Sequence, residues 1–189
     1  MKKETAREYF SIPNLLSYFR LILIPVYLVV YFRAEEPGDY VWAALVIAVS
    51  GFTDMFDGKI ARHFNMITEW GKLIDPVADK LTMASVALSL AFDFPLMRAV
   101  FALYVVKEGF MGVMGLIMLR RGFKLDGAMW YGKVCTAVTY AVIFVLLLFP
   151  RLPSEWQTAL ISVQIAVTLM AFALYAAYYR RVWKRMKKA

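Results

Sequence analysis

The sequence predicts an all-α polytopic membrane protein with six transmembrane helices and a short N-terminal interfacial helix. Three observations predict it. Hydrophobic residues make up 61% of the chain and mean hydropathy is +0.59, far above the balance of a soluble domain. Apolar runs of about 20 residues recur, the length that crosses a bilayer as a helix. Most of the 22 lysines and arginines gather in alternate connections, the asymmetry that orients membrane helices.

A chain of 189 residues is expected to form one domain, 1–189. Residues 1–13 read as a juxtamembrane segment and 180–189 as a basic tail. The net charge of +8 suits anionic headgroups, and in so apolar a chain nucleic acid is not the expected partner. The opening dozen residues are polar and charged, so no cleavable leader is expected. Cys135, the single cysteine, lies in an apolar stretch. It reads as a packing residue, and no disulfide framework exists.

The first helix is expected over Asn14–Phe32, after an interfacial segment ended by Pro13. Arg20 lies within it, either snorkelling to the membrane edge or facing the bundle and the site. Pro25 predicts a kink unless neighbours compensate. AEEPGD is an acidic turn. The second helix is expected over Tyr40–Arg62 and the third over Asp75–Phe92, with HFNMITEW as a loop. Asp75 before Pro76 looks like an N-cap with proline at the first helical position. The fourth helix is expected over Pro95–Leu119. It carries Lys107 and Glu108 in its middle, and Gly109, Gly112 and Gly115 as a small-residue stripe for close helix packing. The fifth is expected over Lys133–Pro150 and the sixth over Glu155–Tyr179. The charge pattern puts both termini and the acidic stretch 53–80 on the cytoplasmic side.

That stretch, TDMFDGKIARHFNMITEWGKLIDPVADK, holds the candidate chemistry. Asp54 and Asp57 are i,i+3, and Asp75 and Asp79 are i,i+4. Each pair shares one helix face, so two facing helices bring four carboxylates together. Ionised carboxylates at membrane depth repel one another and are costly. A divalent cation removes that cost, and hard oxygen ligands suit Mg²⁺, Mn²⁺ or Ca²⁺ rather than zinc. Gly58 and Gly71 leave room for a backbone or a ligand. Arg62 suits a pyrophosphate. Lys80 reads as an ion-pairing residue, and His63, the only histidine, as structural. The residues alone imply metal-assisted transfer of a phosphorus group at the membrane interface. A cation pathway would use the same residue types, but no internal repeat is visible and the acidic cluster sits at one membrane face rather than the midplane.

Asp54, Asp57, Gly58, Ala61, Arg62, Gly71, Asp75 and Asp79 spell D-x-x-D-G-x-x-A-R, eight residues, then G-x-x-x-D-x-x-x-D. This resembles the signature of the CDP-alcohol phosphotransferases, which are also called CDP-alcohol phosphatidyltransferases. The six-helix layout extends the resemblance over nearly the whole chain. SIPNLLSYFRLILIP resembles the start of the bacterial phosphatidylglycerophosphate synthases and cardiolipin synthases within that family.

The resemblance implies phospholipid biosynthesis with CDP-diacylglycerol as donor and CMP as product. It implies Asp54, Asp57, Asp75 and Asp79 as ligands of Mg²⁺ or Mn²⁺, two ions being expected, and Asp79 as the general base. Thr53, Gly58, Ala61, Arg62 and Gly71 would line the CDP pocket. Lys107, Lys133 and Arg20 are the candidates for binding the acceptor. Glycerol 3-phosphate is the leading acceptor. Phosphatidylglycerol is the alternative, because Gly115 and the run Gly132-Lys133-Val134-Cys135-Thr136 lack two cations that the first subfamily usually carries. The resemblance further implies a bacterial cell membrane and, in many members, a homodimer.

Overall fold

The computed structural model consists of helices joined by short connections. It describes residues 9–64, 66, 68–122 and 129–186, without the side chains at 58, 62, 185 and 186. Most of the expected N-terminal interfacial helix, the middle of the basic loop after the fourth helix and the last three residues therefore lie outside the described residues. The helices are α1 (Ile12–Phe32), α2 (Tyr40–His63), α3 (Glu69–Asp93), α4 (Met97–Arg120), α5 (Trp130–Leu148) and α6 (Ser154–Met186). All but α3 are long and apolar enough to cross a membrane. Glu69, Lys72, Asp75, Asp79 and Lys80 crowd the first half of α3, and its second half is apolar.

Two compact units form. The first comprises Met1–Ser89 with Leu147–Arg151, and the second Leu90–Leu146 with Leu152–Ala189.

In the first unit α1 packs along α2. Pro13 sits in the first turn of α1, where its missing N–H costs nothing, and the Leu15 N–H closes that turn on the Ser11 carbonyl at 2.9 Å. The helix runs through Pro25 without interruption. Its buried face is Asn14, Ser17, Arg20, Tyr27 and Tyr31, spaced three, four or seven apart as one helix face requires. That face is polar at one end and aromatic at the other. The Tyr27 hydroxyl meets the buried Ser89 Oγ at 2.6 Å, so neither polar group is left unpaired in the apolar interior.

Asp39 closes the α1–α2 turn. Its carboxylate accepts the N–H groups of Glu36 at 3.0 Å and Glu35 at 3.1 Å. These two bonds hold its carboxyl below the usual carboxylate range. The turn therefore keeps this stabilisation at neutral pH and loses it only as acid protonates Asp39.

The third helix begins at Glu69, well before the expected start at Asp75. Thr68 is the reason. Its Oγ1 accepts the Gly71 N–H at 2.9 Å, which satisfies an orphan donor of the first turn. Asp75 is therefore not a cap, and Pro76 lies inside the helix. The last helix also extends further than expected, through Met186, so much of the anticipated basic tail is helical.

In the second unit α4 packs along α6. The α4 helix ends at Gly122, whose φ of +78° is the left-handed conformation that stops helices and favours glycine. Met118, Tyr131, Cys135, Ala171, Tyr175 and Tyr179 form a buried core. Cys135 is free and buried, 3.8 Å from the Thr168 hydroxyl, in keeping with a packing role. Gln164 donates to Thr139 Oγ1 at 2.6 Å and to Thr168 Oγ1 at 3.2 Å, a polar fastening of the kind that joins membrane helices.

One expectation is corrected here. Gly109 and Gly112 are exposed, and a Cβ at either would meet nothing within 4 Å among the described residues. Only Gly115 of that stripe is buried. In the second unit close packing demands glycine at Gly132, where a Cβ would run into the Tyr175 hydroxyl and ring. Gly132→Ala should thus destabilise the protein by about 1–3 kcal/mol through overpacking, whereas Gly112→Ala should be neutral or slightly stabilising. Thermal unfolding in detergent checks the pair, and equal effects would contradict this packing.

Candidate active site

Three of the four aspartates that helical spacing was expected to bring together do meet, and Asp79 lies outside the group. Asp54 and Asp57 lie one turn apart near the end of α2, and Asp75 comes from the second turn of α3. One carboxylate oxygen from each lies within 4.8 Å of the others. The Asp57 side chain is 4% exposed, whereas those of Asp54 and Asp75 are 45% and 43% exposed. The cluster is thus buried at its base and open on one side.

Its partner is Arg20 of α1. The Arg20 side chain is 1% exposed, so it faces the site and does not snorkel to the membrane edge. Its Nη1 donates to Asp54 Oδ1 at 2.5 Å, and its Nη2 donates to Asp57 Oδ2 at 2.8 Å and also to Asp75 Oδ1. A buried guanidinium without acceptors would be very costly, as would a buried carboxylate without a cation. Each supplies what the other lacks. Three carboxylates against one guanidinium still leave two negative charges. A cluster of hard oxygens, doubly negative in sum and open on one side, fits a divalent ion such as Mg²⁺ or Mn²⁺.

Beside Asp57 and Asp75 lies a cavity of about 130 Å³. Pro13, Asn14 and Ser17 of α1, Ala61 of α2, and Met66, Thr68, Gly71 and Lys72 complete its walls. Asn14 is fully buried, and its Nδ2 donates to Thr68 Oγ1 at 3.1 Å. Ser17 Oγ sits 3.4 Å from Asp75 Oδ1 and 3.2 Å from the Pro13 carbonyl. The Ala61 carbonyl accepts the Met66 N–H at 3.0 Å, which turns the chain after α2. Gly71 has a specific reason to be glycine. A Cβ there would lie 2.5 Å from Asn14 Oδ1 and 2.9 Å from Thr68 Oγ1.

Asn14, Ser17, Thr68 and Lys72 were not anticipated as site residues. For α1 the signal was present, because Asn14, Ser17 and Arg20 recur every third residue in an otherwise apolar helix. Lys72 stands at the rim, 58% exposed, and pairs with Glu69 at 2.6 Å.

The remaining candidates fall as follows. Asp79 lies one turn beyond Asp75 on α3, partly buried, outside the trio whose oxygens converge. The Thr53 hydroxyl donates to the Val49 carbonyl of its own helix at 2.7 Å. Gly58 and Arg62 lie in the last turns of α2, and the surroundings of the Arg62 side chain fall outside the described residues. His63 is exposed and stacks edge-on with Phe64 at 4.9 Å. In the second unit, Lys107 is buried and its Nζ lies 2.8 Å from Glu108 Oε1, the mutual compensation expected of neighbouring buried charges. Lys133 is exposed in the first turn of α5. Around the acidic residues, Phe52, Met55 and Phe56 of α2 and Leu73 and Val77 of α3 are exposed, an apolar surface that suits lipid.

A family model described as CDP-alcohol phosphatidyltransferase matches residues 10–179. The chain is 36% identical over 128 residues to a cardiolipin synthase (CMP-forming) of Streptomyces coelicolor, a match covering 67% of this chain and 60% of that relative. It is 33% identical over 173 residues to a probable phosphatidylglycerophosphate synthase of Mycobacterium tuberculosis, covering 90% of this chain and 81% of the relative. It is 31% identical over 175 residues to the CDP-diacylglycerol–glycerol-3-phosphate 3-phosphatidyltransferase of Escherichia coli K12, covering 90% and 96%.

The contact at Gly71 gives a test of this geometry. Gly71→Ala should lower stability by about 1–3 kcal/mol, because the buried Asn14 amide must move. Adding Asn14→Ala removes the nearer of the two obstacles, so the double variant should lose less than the two single losses combined. Thermal unfolding of the four proteins checks it, and strict additivity would contradict the contact.

Proposed function

The chain belongs to the CDP-alcohol phosphatidyltransferase family, and from that premise we propose that it transfers the phosphatidyl group of CDP-diacylglycerol to a hydroxyl of glycerol 3-phosphate, releasing CMP. The observation that carries this reading is the meeting of Asp54, Asp57 and Asp75 beside a cavity at an apolar surface. The relatives from M. tuberculosis and E. coli, each matched over 90% of this chain, favour glycerol 3-phosphate as acceptor.

Asp54, Asp57 and Asp75 would hold divalent metal, Mg²⁺ or Mn²⁺, and Asp79 would contribute where two ions bind. The bound metal supplies Lewis-acid stabilisation of the diphosphate and of the leaving phosphate. The acceptor hydroxyl attacks the phosphorus that carries diacylglycerol. A new P–O bond forms there and the bond to the bridging oxygen of the diphosphate breaks. That oxygen leaves with CMP, and the hydroxyl proton passes to Asp79. Asp79 suits this role because it lies one helical turn from Asp75 without belonging to the trio.

The cavity walled by Asn14, Ala61, Thr68 and Gly71 accepts part of the CDP group. Its volume is close to that of a cavity known to hold a single six-membered ring. Arg62 and Lys72 contribute positive charge toward the phosphates. The exposed Phe52, Met55 and Phe56 let the acyl chains stay in the bilayer while the headgroup enters the site. The whole chain then acts as one membrane domain, with the site and both termini facing the cytoplasm by the distribution of Lys and Arg.

The resemblance supports a second acceptor, phosphatidylglycerol, because Gly115 and Cys135 stand at positions where the phosphatidylglycerophosphate synthases usually carry cations.

The test is a purified-protein assay with CDP-diacylglycerol and Mg²⁺, following CMP release as each acceptor is offered alone. Glycerol 3-phosphate should support release, and release with phosphatidylglycerol alone would transfer the assignment to the second acceptor. EDTA should abolish turnover and Mn²⁺ should restore it. Asp79→Asn should reduce kcat by at least about 100-fold, the range of a lost general base, with CDP-lipid binding largely retained. Full activity in that variant would remove Asp79 as the base.

A further inference from the structure

Arg20 has more partners than any structural role on its own helix requires. It sits on a membrane helix, 1% exposed, and it reaches three carboxylates from two other helices. Its Nε is buried and has no hydrogen-bond partner among the described residues, so its placement is not the optimum for a guanidinium alone. The oxygens it contacts are those of the trio that can hold a metal ion. A guanidinium stays charged at any relevant pH. Arg20 and a divalent ion therefore seek the same charge and some of the same lone pairs.

We propose that Arg20 is the resident counter-ion of the acidic cluster and competes with divalent metal for the oxygens of Asp54, Asp57 and Asp75, so that this one side chain sets the metal affinity of the site. The proposal rests on the metal-dependent reading above. Without metal, the guanidinium keeps the carboxylates from repelling one another and lets α1, α2 and α3 stay packed. As metal enters, Arg20 gives up at least one carboxylate. Its own positive charge a few ångströms away holds the affinity below what three aspartates would otherwise reach. A plain strut makes the opposite prediction, because removing a strut loosens the cluster and weakens metal binding.

The test uses the full chain in lipid nanodiscs with Mn²⁺ as the probe. Free Mn²⁺ is followed by its electron paramagnetic resonance signal, and thermal unfolding is recorded with and without Mn²⁺. The proteins are wild type, Arg20→Gln, Arg20→Lys and Asp57→Asn. Arg20→Gln should bind Mn²⁺ about tenfold or more tightly than wild type, since a nearby positive charge is gone. Arg20→Lys keeps the charge and should lie closer to wild type. Metal-free Arg20→Gln should melt well below wild type, and Mn²⁺ should raise its Tm far more than it raises that of wild type. If Arg20→Gln is too unstable to titrate, the Mn²⁺ rescue of its Tm still decides the matter. Weaker Mn²⁺ binding in Arg20→Gln, or a low Tm that Mn²⁺ leaves unmoved, would overturn the proposal and make Arg20 a strut. Saturable binding by wild type that Asp57→Asn abolishes upholds the metal reading in either case. No saturable binding by wild type or Arg20→Gln would overturn the metal reading itself.

Discussion

Three carboxylates crowded at the end of apolar helices cannot stand without positive charge, and the first unit is arranged around that requirement. Asp57 is buried, so its charge has little water to lean on. Arg20 reaches it from another helix, and the same guanidinium spans Asp54 and Asp75. The polar stripe of α1 follows from this. Asn14 and Ser17 occupy the turns below Arg20 on the same face, and both contribute to the cavity wall beside the aspartates. The glycine at position 71 follows as well, because it lets the buried Asn14 amide approach the first turn of α3. Charge balance, helix register and close approach here form one constraint.

Much of this was legible in the residue pattern. The i,i+3 spacing of Asp54 and Asp57 puts both on one face wherever the helix happens to end, whereas their meeting with Asp75, and the exclusion of Asp79, come from how the helices pack. Two other features were not legible either. The Asp75-Pro76 pair is locally a strong helix start, and Thr68 overrides it by capping the helix well upstream. Capping competes over a few residues, and the winner depends on whether Asn14 and the α1 helix come close enough to hold Thr68 in place. Arg20 was visible as an oddity in an apolar helix. Its partners lie 34, 37 and 55 residues away, and no local period encodes such pairings. The glycines teach the same lesson. Gly109 and Gly112 have helix-packing spacing yet meet nothing among the described residues, while Gly132, with no comparable pattern, is pressed against Tyr175.

The two units divide the demands of membrane life differently. In the first, buried Arg20 and Asp57 meet half-exposed Asp54 and Asp75, and the cluster stays two charges negative. In the second, the polar contacts among the described residues include neutral fastenings such as Gln164 with Thr139 and Thr168 and the adjacent ion pair of Lys107 and Glu108. Neutral hydrogen bonds cost less to bury than charges.

The most direct test of this account is to locate the metal. Crystals grown with Mn²⁺ should show an anomalous scattering peak bounded by the carboxylates of Asp54, Asp57 and Asp75, lost in Asp57→Asn. A peak elsewhere in the chain, or none at saturating Mn²⁺, would contradict the claim that these three aspartates form the metal centre.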